Sequence, residues 1–124
     1  GTLGGQNSFG YGINAAGQVT GYAEIAGGTA FRAFVHGAGS MIDLGTLGGR
    51  NSLGAAINAA GQVTGWSDDL GSGTRRAFLY SQGTMADVNS FNGVAGSGWL
   101  LYQGTGLNDA GQLVGYGINP AGQT

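Results

Sequence analysis

Apolar and small residues alternate along short segments of this chain. Phe9, Tyr11 and Ile13 are separated by glycines, and this two-residue period is that of a β-strand, whose side chains point alternately to opposite faces. Leu53 and Ile57 lie at the same positions of a second, nearly identical segment. No segment sustains the three- and four-residue apolar spacing of an amphipathic helix. The pattern therefore predicts a chain built of short strands.

The chain consists of two nearly identical units followed by a more divergent third. Residues 1–44 and 45–88 are identical at 24 of their 44 aligned positions. Residues 89–124 repeat the central segment of each unit after a longer lead-in. Because each unit of a repeat protein buries its apolar surface against its neighbours, the sequence predicts one continuous repeat domain.

Every unit contains the pattern Asn-x-Ala-Gly between two predicted strands. The Asn side chain at the first position can bond the backbone that follows it, and the final Gly can adopt a positive φ angle at little cost. We therefore predict a tight β-hairpin in each unit. The residues that begin and end these three turns are Asn14 and Gly17, Asn58 and Gly61, and Asn108 and Gly111.

Each complete unit is predicted to hold four strands, because short apolar runs follow the hairpin at 32–35 and 41–44, and again at 76–79 and 85–88. Four strands in a repeat of about 40 to 50 residues are typical of a propeller blade. The predicted fold is all-β, a propeller-like repeat of four-stranded antiparallel units with about two and a half blades in this chain. A parallel β-helix is the main alternative. The apolar residues beside the turns are expected to be buried equivalently in all units: Ile13, Val19, Ile57, Val63, Leu107 and Leu113.

Composition narrows the classes of partner. Glycine accounts for 29 of 124 residues, yet the glycines occupy fixed repeat positions, which disfavours both collagen and low-complexity disorder. Only 8% of residues are charged and the net charge is -2, so no basic surface is predicted for a nucleic acid. No apolar run approaches the ~20 residues that span a bilayer. With no Cys and one His, we predict no metal site and no cofactor.

Aromatic residues supply the candidate binding site. Tyr22, Trp66 and Tyr116 follow the same strand glycine in successive units, and Trp99 and Tyr102 lie on the lead-in of the third unit. Such rings can stack on the faces of sugars, and their regular spacing would allow multivalent binding. Alternatively, the three equivalent rings fill the gaps between neighbouring units. Both interpretations remain open, with carbohydrate as the candidate ligand.

Acidic residues also recur in register and raise the possibility of catalysis. Two carboxylates across a cleft could hydrolyse a glycosidic bond, so a carbohydrate-active hydrolase is an alternative function. A catalytic pair is generally unique, however, so we favour structural roles at strand ends and assign no catalytic residue. Arg32 and Arg76 are expected to pair with a nearby Asp. The acidic candidates are Glu24, Asp43, Asp68, Asp69, Asp87 and Asp109.

Three segments carry a resemblance to a known family. The sequence DLGTLGG at 43–49, INAAGQVTG at 57–65 and AFLY at 77–80 together resemble the HAF-repeat family of probable extracellular bacterial proteins, and the third unit is similar to that family's terminal repeats. The chain departs from the family at Arg32 and Arg76, which stand in place of the namesake His, and in lacking the closing strand. The resemblance implies secretion or display at the cell surface, without a family-wide ligand or catalytic activity.

The sequence thus predicts a noncatalytic extracellular repeat module for surface structure or recognition. The third unit reaches a turn pattern at 119–122 and stops before a third strand, which predicts an unpaired strand edge. We expect a longer parent protein or other copies of the chain to complete that edge, so self-association is expected. A self-assembling filament or oligomer subunit is a further alternative.

Overall fold

The computed structural model describes residues 1–71, 74–91, 94 and 96–118, and these ranges are all-β apart from a 3-10 turn at Val88–Ser90. The predicted turn at 119–122 lies outside the described residues. The first sheet contains β1 (Gly4–Ile13), β2 (Val19–Ile25), β3 (Phe31–Gly37) and β4 (Ser40–Asp43). The second contains β5 (Gly48–Ile57), β6 (Val63–Asp69), β7 (Arg75–Ser81) and β8 (Thr84–Asp87), and the third contains β9 (Leu100–Leu107) and β10 (Leu113–Ile118).

Each sheet is an antiparallel meander in which strands adjacent in sequence are adjacent in space. The predicted four-stranded antiparallel units are confirmed for the first two units, whereas the third sheet has two strands within the described residues. The described strands form no closed barrel or propeller. In the described residues the structure therefore establishes an all-β fold of three antiparallel sheets.

The predicted hairpin turns are confirmed in all three units. Gly17, Gly61 and Gly111 have φ angles of 82°, 80° and 81°. Each of these glycines donates its backbone N–H to the carbonyl of the Asn that opens the turn. In the first unit Oδ1 of Asn14 also accepts the N–H of Gln18 at 2.9 Å. The local chemistry of Asn and Gly thus sets the turn.

The three sheets stack on one another in sequence order. Strand β5 contacts β1, β2 and β3 of the first sheet, and β9 contacts β5, β6 and β7 of the second. The first strand of the second sheet and the first strand of the third sheet thereby each lie across the sheet before them. An apolar core formed by the first two sheets consists of Ala33, Val35, Leu44, Ile57, Val63 and Phe78.

Equivalent apolar residues are not equally buried. Ile57 and Val63 are 8% and 0% exposed, because they pack into the core beside the first sheet. Their equivalents in the first unit are Ile13 and Val19. A preceding sheet would have to cover these two residues as the first sheet covers Ile57 and Val63, and the described residues contain no such sheet. Ile13 is 69% exposed and Val19 is half-buried. The expectation of equivalent burial is therefore wrong: of the six residues only Ile57 and Val63 are buried, whereas Ile13 is exposed and Val19, Leu107 and Leu113 are half-buried.

A glycine at the centre of the second strand of each sheet allows the first strand to approach closely. A Cβ atom at Gly65 would overlap the carbonyl oxygen of Leu53 and lie 3.1 Å from the backbone nitrogen of Ala55. The strand register shifts beside this contact, between Gly54 and Ala56, as expected of a β-bulge. The same overlap would occur at the equivalent glycines, Gly21 and Gly115.

Candidate functional site

A polar contact recurs where one sheet meets the next. Thr20 and Thr64 are fully buried, and each hydroxyl donates to a carbonyl of its own sheet at 2.7 Å. The same two side chains lie against Gly54 and Gly104 of the following sheet, where a Cβ atom would overlap the hydroxyl. A glycine on the first strand of one sheet therefore makes room for the threonine of the preceding sheet.

Asparagine side chains link the hairpin turns of successive sheets. Asn14 donates from Nδ2 to the carbonyl of Asn58 at 3.0 Å, and Asn58 donates in the same way to the carbonyl of Asn108 at 3.0 Å. We call this series the asparagine ladder. The Nδ2 atom of each Asn also donates to a glutamine of its own turn at 2.7 Å. One residue type thus shapes each turn and joins it to the next.

Strand β5 accepts two further hydrogen bonds from the first sheet. The backbone N–H of Phe31 donates to Oδ1 of Asn51 at 3.0 Å, and that of Ala33 donates to Oγ of Ser52 at 2.8 Å. Ser52 in turn donates to the carbonyl of Gly45 at 2.6 Å. These side chains satisfy backbone groups of β3 that face the second sheet.

Trp66 lies inside the stack. It is 5% exposed, the guanidinium carbon of Arg75 lies 3.9 Å from its ring centroid, and Phe31 meets it edge-on with the centroids 5.8 Å apart. This position matches the interpretation in which the ring fills a gap between units. Trp66 therefore offers almost no surface to a ligand.

Tyr22 occupies the equivalent position in the first sheet and is half-buried. Its ring centroid lies 4.9 Å from that of Phe9, 4.8 Å from that of Phe31 and 6.0 Å from that of Tyr11. Through Phe31 this group continues to Trp66. Tyr22 therefore belongs to an aromatic cluster whose members come from β1, β2 and β3 of the first sheet.

The remaining equivalent ring, Tyr116, lies in an open hollow of about 290 Å³ between the second and third sheets. It is 50% exposed, and its hydroxyl donates to Oε1 of Gln103 at 2.8 Å. Tyr102, Arg75 and Thr74 complete the lining. The structure thus brings together two of the five predicted aromatic residues. Sequence analysis missed Gln103 and Thr74, because a single polar residue in or beside a strand carries no distinctive pattern.

Trp99 lies apart from this hollow. It precedes β9 on the lead-in of the third unit, is 43% exposed, and its backbone N–H donates to Oγ of Ser97 at 3.1 Å. It is not among the residues that line the hollow.

The acidic residues bond the backbone and the arginines, as predicted for Arg32 and Arg76. Asp43 and Asp87 each accept a backbone N–H two residues further on at 2.8 Å. Arg32 pairs with Asp43 at 3.7 Å, and Arg76 lies 3.0 Å from Asp69 and 3.4 Å from Asp87. The two carboxylates that Arg76 brings together share its positive charge, which suits an ion-pair network better than an acid and base pair.

Glu24 closes the open end of the first hairpin. Its carboxylate accepts the backbone N–H groups of Gln6 and Asn7 at 3.1 and 3.2 Å and Nδ2 of Asn7 at 3.2 Å. The hydrogen bond from the Asn7 side chain, followed by that from the Gln6 backbone, holds the pKa of Glu24 below its ordinary value of 4.5.

We predict that Glu24→Gln lowers the free energy of unfolding and that the size of this loss depends on pH. Because the folded-state pKa of Glu24 is depressed, its contribution is complete above pH 4.5 and is lost as the pH falls through the folded-state pKa. The difference in unfolding free energy between wild type and variant should therefore be largest near neutral pH and shrink in acid. Urea titrations across this range measure it. A difference that does not change with pH would contradict the prediction.

The described residues also bear on metal binding and on membrane crossing. Within them, no three His, Cys, Asp or Glu side chains are grouped as ligands for a metal ion. The same part of the chain contains no helix with the length and apolar character needed to cross a membrane.

Comparison with protein-family models, with curated proteins and with solved structures finds no match for this chain.

Proposed function

We propose that this chain is a noncatalytic extracellular repeat module that acts in surface structure or recognition, with carbohydrate as its ligand. The resemblance of its repeats to the HAF-repeat family supports a location at the bacterial cell surface. The observation that carries the recognition proposal is the hollow lined by Tyr102 and Tyr116.

The hollow has the chemistry that a sugar requires. Tyr116 presents a half-exposed ring for stacking on the apolar face of a pyranose. Gln103, Thr74 and Arg75 border the same space and supply hydrogen-bonding groups for sugar hydroxyls. Apolar surface combined with a few convergent polar groups is the usual composition of a small-ligand site.

We also propose a propeller-like arrangement of the sheets. The contact between a threonine and a glycine occurs at both interfaces between sheets, and so does the asparagine ladder. Repeating the same contact imposes a similar rotation from each sheet to the next, as in the nearest-neighbour stacking of repeat proteins. This recurrence supports blades related by a common operation.

Replacing Tyr116 or Tyr102 by Ala is expected to weaken glycan binding about tenfold, because the loss of a stacked ring removes roughly 1.4 kcal/mol of binding free energy. The measurement is a titration with defined oligosaccharides, followed by the fluorescence of Trp66, which contacts the hollow through Arg75.

Trp99→Ala is the matched control, since Trp99 is exposed but lies outside the lining of the hollow. It should leave the affinity unchanged. Glycan binding that persists in the double variant Tyr102→Ala and Tyr116→Ala, or that is lost with Trp99→Ala, would place the site elsewhere.

A further inference from the structure

The contact between the first two sheets shows which groups allow a first strand to pack against the preceding sheet. We call a strand with these groups a receiving strand. Strand β5 supplies two side-chain acceptors for backbone N–H groups and a glycine that leaves room for a threonine, and the turn after β5 supplies a carbonyl that accepts the side-chain amide of Asn14. We call these four residues the receiving set: Asn51, Ser52, Gly54 and Asn58.

Strand β1 and the turn after it carry the same four residue types at the same positions, as Asn7, Ser8, Gly10 and Asn14. Ser8 donates to the carbonyl of Gly1 at 2.6 Å, just as Ser52 donates to that of Gly45, so its hydroxyl oxygen is set to accept a hydrogen bond in the same way.

The space that a partner would fill on β1 is open. A Cβ atom at Gly10 would meet only Cγ1 of Val19, at 3.2 Å, whereas at Gly54 it would overlap the hydroxyl of Thr20. Ile13, on the same side of the strand, is 69% exposed. In the part of the chain that the structure describes, β1 thus has a receiving set with no sheet on it.

The third sheet carries groups equivalent to those of the first sheet that contact the receiving set. Val114 stands where Thr20 and Thr64 stand in the other units, has nearly the shape of threonine, and is 61% exposed. Asn108 donates one Nδ2 hydrogen to Gln112 at 2.7 Å, and the described residues give its other hydrogen no acceptor. The third sheet therefore offers partners for two members of the set on β1 and the turn after it, Gly10 and Asn14. Its two described strands include no counterpart of β3, the strand whose N–H groups bond Asn51 and Ser52.

We propose that β1 of one chain receives the sheet of β9 and β10 of a second copy, with Val114 against Gly10 and the asparagine ladder continued from Asn108 to Asn14. The established contacts between the sheets within one chain supply the pattern. Because the two faces differ, the contact is heterologous and generates a ring if the rotation closes and a filament if it does not. This inference goes beyond the proposed glycan site and does not depend on it.

Two charge substitutions test the pairing of these faces. Ile13→Arg adds a charge to the β1 face, and Val114→Arg adds one to the β10 face. Both residues are largely exposed, so both variants should fold. Wild-type protein is expected to gain mass with concentration in sedimentation velocity, whereas each variant alone should remain a monomer. An equimolar mixture should form a one-to-one dimer and nothing larger, because each variant retains one intact face.

Leu70→Arg is the matched control, because Leu70 is 80% exposed after β6 and lies in neither face. It should assemble as wild type does. The proposal is overturned if wild type stays monomeric at every concentration, if either face variant assembles normally, or if a mixture of folded variants fails to form the dimer. Glycan binding by monomeric Ile13→Arg, whose hollow is intact, tests the proposed function separately.

Discussion

Replacing Gly65 with Ala is expected to lower the free energy of unfolding by about 3 kcal/mol, at the upper end of the usual cost of overpacking. The added methyl group would overlap the carbonyl oxygen of Leu53, which belongs to the backbone of a paired strand and cannot rotate away. Gly65 is itself buried, so the strands would have to separate. Urea unfolding followed by circular dichroism measures the loss.

Gly10→Ala is the control for this prediction. Gly10 is also a strand glycine, but a Cβ atom there would meet only Cγ1 of Val19, at 3.2 Å, and Val19 is half-buried. In dilute protein we expect a change of about 0.5 kcal/mol or less, as for ordinary surface substitutions. Equal losses at the two positions would show that the close strand approach is not what requires Gly65.

Asn58→Ala is expected to cost about 2 to 3 kcal/mol. Asn58 is 3% exposed, and its side chain bonds the backbone and side chain of Gln62 as well as the carbonyl of Asn108. Each hydrogen bond contributes about 1 kcal/mol, and removing a buried partner leaves its acceptor or donor unsatisfied. Thermal and urea unfolding of the variant measure the sum.

Asn108→Ala distinguishes the contribution of the bonds within the turn from that of the asparagine ladder. Asn108 makes the same two bonds within its own turn, to Gln112, but it is exposed and the described residues place no further carbonyl in its reach. We expect about 1 kcal/mol when dilute protein is measured. If both substitutions cost the same, the asparagine ladder contributes nothing to stability.

Local features could be predicted from the sequence because their chemistry lies within a few residues. The pattern from Asn14 to Gly17 specifies a turn through a side-chain oxygen and a positive φ angle, and the alternation on either side specifies the strands. The pairing of Arg32 with Asp43 could also be anticipated, since both recur in each complete unit.

The exposure of individual residues could not be predicted, because it depends on the neighbouring sheet. Ile13 and Ile57 have the same local sequence after them, yet one is exposed and the other buried. Trp66 and Tyr116 follow equivalent glycines, but Arg75 and Phe31 cover Trp66, which is 5% exposed, whereas Tyr116 is 50% exposed. Likewise, nothing near Gly54 in the sequence indicates that Thr20 will lie against it.

The uniformity of the contacts between sheets has a consequence for the gene. Thr20 meets Gly54 as Thr64 meets Gly104, and the first two units share most of their residues. A crossover between misaligned copies, at equivalent positions, would therefore add or delete a whole unit while preserving the threonine–glycine contact and the asparagine ladder between neighbours. One genetic event can therefore change the number of repeat units without producing a variant in which these contacts are lost. The protein can in this way vary in length.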